Sequence, residues 1–349
     1  MIKGLPLWVA WLVAGLMFAT NAAVAASNCK FVKVADWPVR PGRGWAIVDG
    51  AVNGQEISVM LDTGSGTLIL RSAAERLGLT RKQVPGARAF GVGGETYVEA
   101  ALVDELRVGQ ITRKNWQMIV AGEKDFGRRV DVILGEDFFD QVDVEFDLPH
   151  NAVRLFEPKD CDGMRLAYWA TQGAGEIEME SFSDAGSRIM LTVQINGKAM
   201  RAQLDSGSYT SVLDSSAAQR LGITPDSAGV VRGGQGGGLG GKSVDFWTAP
   251  LQSFTIGDET IRDTTMRFAD LWKDATYRST GSLVARKLEN NPAMLLGADF
   301  LRAHRVLVAH SQHKIYFTYE GGPVFQPRIT PETAPTAPDD GTKAGAETH

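Results

Sequence analysis

Two short segments carry the residue types that chemistry needs: Asp62-Thr-Gly-Ser65 and Asp205-Ser-Gly-Ser208. Each aspartate closes an apolar run, Ile57–Leu61 in the first case and the run ending on Leu204 in the second. A glycine stands two residues further on. That order puts a carboxylate where a strand stops and the backbone turns, with a glycine amide able to approach it closely. A carboxylate so held can take a proton from a reacting group or give one to it. One such tetrapeptide carries little weight, because Asp-Gly turns use the same residues. Two of them at equivalent places of a repeat carry far more.

The repeat is visible without gaps. Residues 46–70, AIVDGAVNGQEISVMLDTGSGTLIL, align with residues 189–213, IMLTVQINGKAMRAQLDSGSYTSVL, sharing Asn-Gly, Leu-Asp, Gly-Ser, Thr and Leu. The match continues through Ser72-Ala-Ala-Glu-Arg-Leu-Gly and Ser215-Ser-Ala-Ala-Gln-Arg-Leu-Gly. It closes on Val132-Ile-Leu-Gly-Glu-Asp-Phe138 and Met294-Leu-Leu-Gly-Ala-Asp-Phe300. The offset grows from 143 residues at Asp62/Asp205 to 162 at Gly135/Gly297, so the second copy carries 19 more. They fall mainly in 232–242 and 269–293, where a shared fold would place loops.

Each copy reads mostly as strand, which makes the fold all-β with few short helices. Asn53-Gly54 and Asn196-Gly197 are hairpin-turn signals between apolar runs. Ser72 and Glu75, with Gly78 as a stop, predict a short capped helix after the Asp motif; Ser216, Gln219 and Gly222 predict its counterpart. Val142–Phe156 alternates around Pro149-His150-Asn151 and predicts another hairpin. The organisation expected is a leader over 1–26, a first lobe over 27–160, a linker over 161–185, a second lobe over 186–320 and a disordered tail over 321–349. For the 269–293 insertion a cleft-shaping helix and a surface decoration are both open.

At these residues the chain resembles the aspartic peptidases, specifically the retropepsin-like branch, duplicated in one chain as in pepsin. The family pattern is D-[TS]-G-[SA] at a strand end, a glycine-rich flap, and a hydrophobic-hydrophobic-Gly element that braces the Asp loop. Ile133-Leu134-Gly135 and Leu295-Leu296-Gly297 match the brace, and Gly91-Val-Gly93-Gly94-Glu95 stands at the flap tip. Gly233–Gly241 holds that place in the second copy, and whether so many glycines close as a hairpin is open. The resemblance implies two pseudo-twofold lobes facing Asp62 to Asp205, which share one proton and activate a water for peptide hydrolysis. It implies that Gly64 and Gly207 donate backbone N–H bonds to the inner oxygens, and that Ser65 and Ser208 hydrogen-bond the outer ones. Thr63 and Ser206 would tie the loops together. Neither a metal nor any other cofactor is implied, and the active species would be a monomer. Two departures stand out. Only about 18 residues separate the expected cleavage site from Trp45, too few for a pepsin-type activation segment, and the pepsin flap tyrosine has no secure counterpart, Tyr97 being only nearby.

Composition narrows the partners. A net charge of −5 over 349 residues leaves no basic footprint for nucleic acid. Lys3, the apolar run Leu5–Ala19 and the small residues Ala22–Ala26 read as a cleaved signal peptide rather than a retained anchor, which places the mature chain in the periplasm or outside the cell. In that oxidising space Cys29 and Cys161, the only cysteines, are the right number for one disulfide. Gly236-Gly-Gly-Leu-Gly-Gly241 fits a dinucleotide fingerprint in letters only, since strand follows it rather than helix. No nucleophile elbow is present, and His310 and His313 read as a surface turn rather than a metal site. The expected function is an exported aspartic endopeptidase acting on extended peptide or protein segments. A non-catalytic peptide-binding module on the same fold is the rival.

Overall fold

The computed structural model describes residues 28–42, 44–122, 130–181, 187–274, 276–277, 286–287 and 290–325. The expected signal peptide lies outside the described residues. Among the described residues no helix is long and apolar enough to cross a membrane.

Strand β1 (Lys30–Pro38) precedes the first copy. Strands β2 (Ile47–Val52), β3 (Gln55–Leu61), β4 (Leu68–Leu70), β5 (Arg81–Gly91), β6 (Gly94–Val108), β7 (Ile111–Ala121) and β8 (Val132–Leu134) form one sheet, ordered β2-β3-β8-β4-β7-β6-β5. β2 also pairs with β6, which curls the sheet on itself. β9 (Asp143–Asp147), β10 (Ala152–Lys159) and β11 (Gly175–Glu178) lead to the second copy. There β12 (Met190–Ile195), β13 (Lys198–Leu204), β14 (Val212–Asp214), β15 (Val231–Gly236), β16 (Val244–Ile256) and β17 (Glu259–Ala269) come first. A two-residue pair follows, β18 (Thr276–Tyr277) with β19 (Arg286–Lys287), and then β20 (Met294–Leu296). Their order, β12-β13-β20-β14-β17-β16-β15 with β12 also on β16, repeats the first sheet strand for strand. β21 (His304–Ala309) and β22 (Lys314–Tyr319) are the last strands among the described residues.

The repeated turns have the chemistry expected of them. Asn53 and Gly54 both have positive φ (49° and 77°), as do Asn196 and Gly197 (49° and 75°), the conformation a tight two-residue hairpin requires. The short helices form too, Arg71–Arg76 and Ser215–Arg220, but their caps differ from the expected boxes. Each starts one residue before the expected cap serine. Asp214 is the cap in the second copy, accepting from the Ser216 amide, while Leu70 in the first offers no side-chain cap.

A third sheet joins the copies, in the order β1-β10-β9-β21-β22-β11. Its centre is the antiparallel pair β9–β21, one hairpin from each copy, with Phe146 opposite Val306. Glu145, fully buried there, is bound by Arg154 from one copy and Arg305 from the other, so the charge is compensated across the junction. The segment expected as a linker is more than a connection. It supplies β11 and buries Leu166, Ala167 and Ala174. The Cys29–Cys161 disulfide forms beside it, with Cα atoms 4.4 Å apart, and ties the start of β1 to the end of the first lobe. Of the tail expected as disordered, Val324 and Phe325 are buried, with Phe325 edge-on to Phe254 at 4.8 Å, and residues 326–349 lie outside the described residues.

Candidate active site

The two aspartates end β3 and β13 and are held in the same way. Leu61 runs parallel to Leu134, and the Asp62 amide donates to the Leu134 carbonyl at 2.9 Å. Leu204 runs parallel to Leu296, and the Asp205 amide donates to the Leu296 carbonyl at 2.9 Å. The turning glycines then face the opposite carboxylate. A β-carbon at Gly64 would collide with the Asp205 carboxyl, and one at Gly207 would collide with that of Asp62. Only glycine permits the two loops to come this close.

Thr63 and Ser206 lock the loops by reciprocal bonds. Thr63 Oγ1 donates to the Leu204 carbonyl at 2.8 Å and accepts from the Ser206 amide at 3.0 Å. Ser206 Oγ donates to the Leu61 carbonyl at 2.8 Å and accepts from the Thr63 amide at 3.0 Å. Both side chains are fully buried. Every donor and acceptor of the pair is thus satisfied across the interface, the condition for a buried polar network to rigidify rather than destabilise.

A brace behind each loop is also duplicated, and sequence reasoning assigned only half of it. Gly135 donates to Thr67 Oγ1 and Gly297 to Ser211 Oγ, each at 2.9 Å. The aspartate two residues after that glycine completes the tie. Asp137 accepts from the Thr67 amide at 2.6 Å, and Asp299 accepts from the amide and hydroxyl of Ser211. The signal was present in the repeat, since Ile-Leu-Gly-Glu-Asp and Leu-Leu-Gly-Ala-Asp keep that aspartate.

The two carboxyls hydrogen-bond each other, and both sit above the ordinary carboxylate pKa. Burial is the main cause for each. For Asp62, which is raised well above the usual range, the charge of Asp205 adds to it. Asp62 accepts from the Gly64 amide at 2.9 Å and Asp205 from the Ser208 amide at 2.9 Å, with the Gly207 amide also favouring the charged form of Asp205. A proton is therefore retained between them and belongs to the pair. The serine hydroxyls do not take the place expected of them. Ser65 Oγ donates to the Gly66 carbonyl at 3.1 Å and Ser208 Oγ to the Thr210 carbonyl at 2.9 Å, so both support the loop rather than the carboxylates.

The flaps close over the pair. β5 and β6 meet at Gly91 and Gly94 with Val92-Gly93 at the tip, and β15 and β16 form the second hairpin despite its glycines, Gly236 pairing with Val244. The tips bond to each other: Gly238 donates to the Val92 carbonyl at 3.0 Å and Lys242 to the Gly93 carbonyl at 3.0 Å. Gly93 has φ 90° and abuts the Gly240 and Lys242 carbonyls, so no side chain fits there. Beneath lies a cavity of about 520 Å³ holding both aspartates. Its walls include Trp45, Tyr209, Phe246 and Trp272, with Glu136, Arg188 and Arg267 as the charged residues besides the dyad. Trp272 donates to the Pro292 carbonyl at 2.9 Å, so the described part of the 269–293 insertion shapes the cavity as a loop, without the helix considered from sequence. His313, exposed with φ 55°, is the expected turn residue; burial pulls its neighbour His310 down to about 4.

Compared with known proteins, the chain matches the family model described as aspartyl protease twice, over residues 48–138 and 191–300, together more than half its length. No curated protein matches the chain. Each matched region coincides with one closed sheet and its Asp loop, one brace and one flap. The chain belongs to the aspartyl protease family, as a tandem form with both lobes in one polypeptide.

Proposed function

We propose that the protein is an exported endopeptidase in which Asp62 and Asp205 activate a water molecule against a peptide bond. The observation that carries this is the mutual approach of the two carboxylates, each against the other loop's glycine and sharing a proton. The ionised member of the pair acts as the base and takes a proton from the water. The other, which holds the shared proton, hydrogen-bonds the carbonyl oxygen as charge develops on it. The proton then passes to the leaving amine, and the dyad returns to its starting state. Gly64 and Ser208 amides hold the carboxylates in register. The flap strands offer main-chain partners to an extended substrate, so a broad range of sequences can enter and the walls set preference. Both aspartates lie in one chain, which supports activity as a monomer. The disulfide supports residence in an oxidising space such as the periplasm.

Incubation of the purified protein with an unfolded protein mixture across a pH series tests this. Fragments should appear with the wild type and be absent with Asp62→Asn and with Asp205→Asn. Fragments that persist with either variant would refute the dyad. Peptide binding without fragmentation by the wild type would point to a binding module instead.

A further inference from the structure

Arg267 is the unmatched charge of the cavity. It stands on β17 opposite Val212, where the first copy places Ile119 opposite Leu68. One of its five N–H donors reaches the Gly233 carbonyl at 3.1 Å, and its guanidinium lies 4.2 Å over the Phe246 ring. Among the described residues no carboxylate comes within ion-pair distance of it, and burial lowers its pKa. Asp299, the acid whose charge is felt there, already accepts from Ser211 and from the Phe300 amide, and burial favours its neutral form. Of the other charged wall residues, Glu136 is raised by burial, and the charge of Arg188 acts against that shift, so Arg188 is felt by a wall carboxyl of its own. The guanidinium therefore faces the cavity beside a floor of Val212, Phe246, Leu271 and Leu295.

We propose that Arg267 forms a specificity subsite that takes the carboxylate side chain of a glutamate or aspartate in the substrate. The inference rests on the reading of this cavity as the peptide site. A planar fork with free donors suits a carboxylate in a bidentate grip, and the apolar floor suits the methylenes that carry it. Phe246 and the Gly233 carbonyl fix the fork before substrate arrives, so little rotamer freedom remains to be lost on binding. The corresponding place in the first lobe, with Ile119, would take an apolar side chain. A substrate is thus read differently on the two sides of the bond that is cut.

The test is a cleavage profile on a positional peptide library with blocked termini, followed by matched pairs differing only as Glu against Gln. The wild type should show one position enriched in acidic residues and cut the Glu peptide roughly 10- to 100-fold faster in kcat/KM than its Gln partner. Arg267→Gln should lose that ratio, which is read within the variant and so does not depend on its overall rate. Arg267→Lys, which restores charge without the fork, should recover part of it. A wild-type ratio near one, or a ratio that survives in Arg267→Gln, overturns the proposal. So does a loss of both rates that Arg267→Lys restores without discrimination, because Arg267 would then serve only the flap. If the wild type cuts no peptide, the peptidase reading has failed separately, and the same Glu and Gln peptides are titrated by fluorescence anisotropy. Preferential binding of the Glu peptide, lost in Arg267→Gln, then upholds the subsite, and equal binding rejects it.

Discussion

The base of the cavity and its walls obey different rules. At the base, each feature of the first copy has its twin in the second. The aspartates, the Thr63/Ser206 lock and the brace glycines all repeat, with distances that agree to within a few tenths of an ångström. On the walls, Met60 faces its counterpart Gln203, Ile119 faces Arg267, and Glu136 stands where the second copy has Ala298. Symmetry is kept where two carboxylates must share one proton, because the geometry has one solution. It is relaxed on the walls, the surface that the proposed substrate would meet.

The largest effect should come from breaking the symmetric base. Asp62→Asn or Asp205→Asn should cut kcat/KM by roughly 10²- to 10⁴-fold or more while the circular dichroism spectrum is unchanged. Turnover within a few-fold of wild type in either variant would detach the dyad from catalysis. Next in size is the disulfide, which only the first lobe possesses. Replacing both Cys29 and Cys161 with Ser releases a loop of 132 residues, and chain entropy sets a ceiling of about 4–5 kcal/mol on the loss. Denaturant midpoints of the pair of proteins measure it, and the loss should vanish when the wild type is measured in reductant.

The braces sharpen the comparison, since their twins differ in burial. Asp299 is buried and satisfies three donors, the Ser211 amide, the Ser211 hydroxyl and the Phe300 amide. Asp137 is exposed and accepts from the Thr67 amide. Asp299→Ala should therefore cost about 3 kcal/mol and Asp137→Ala about 1 kcal/mol, because stranded buried donors cost most of the difference. Equal losses in urea melts would show that burial does not separate the two braces.

The parts legible in the sequence were those set by local chemistry repeated twice. Asn-Gly turns, the Asp-Thr/Ser-Gly strand ends and the Ile-Leu-Gly brace are short motifs whose backbone needs are met by a few residues, and the second copy confirmed the first. The interlobe sheet was not legible, because β9 finds β21 across some 160 residues and nothing in either strand names its partner. The same holds for β11, hidden in a segment without strand periodicity. The helix caps were misplaced by two residues, because Asp214 caps the second helix by accepting from the amide and hydroxyl of Ser216, and Leu70 holds that place in the first. The wall residues were invisible for another reason: Glu136, Gln203 and Arg267 acquire meaning only from the cavity that long-range pairing encloses.

The smallest effect concerns pH, and it separates a symmetric pair from an asymmetric one. The activity profile should be a bell whose limbs belong to the dyad as a unit. Because the hydroxyls of Ser65 and Ser208 point to backbone carbonyls, replacing both with Ala should leave both limbs in place. Glu136 behaves otherwise. Its charge raises Asp205, the charge of Asp62 raises Glu136 in turn, and the second copy has Ala298 at the matching place. Burial raises Glu136 itself, so its charge is present more on the basic limb than on the acid limb. Glu136→Gln removes a negative charge only where one exists. The dyad then releases its shared proton more readily, and the basic limb should move to lower pH by about half a unit to one unit, with the acid limb moving less. Measuring kcat/KM against pH for wild type, Glu136→Gln and the double serine variant on one peptide decides the matter. A basic limb that stays put in Glu136→Gln, or that moves in the serine variant instead, would return the tuning of the dyad to the symmetric hydroxyls.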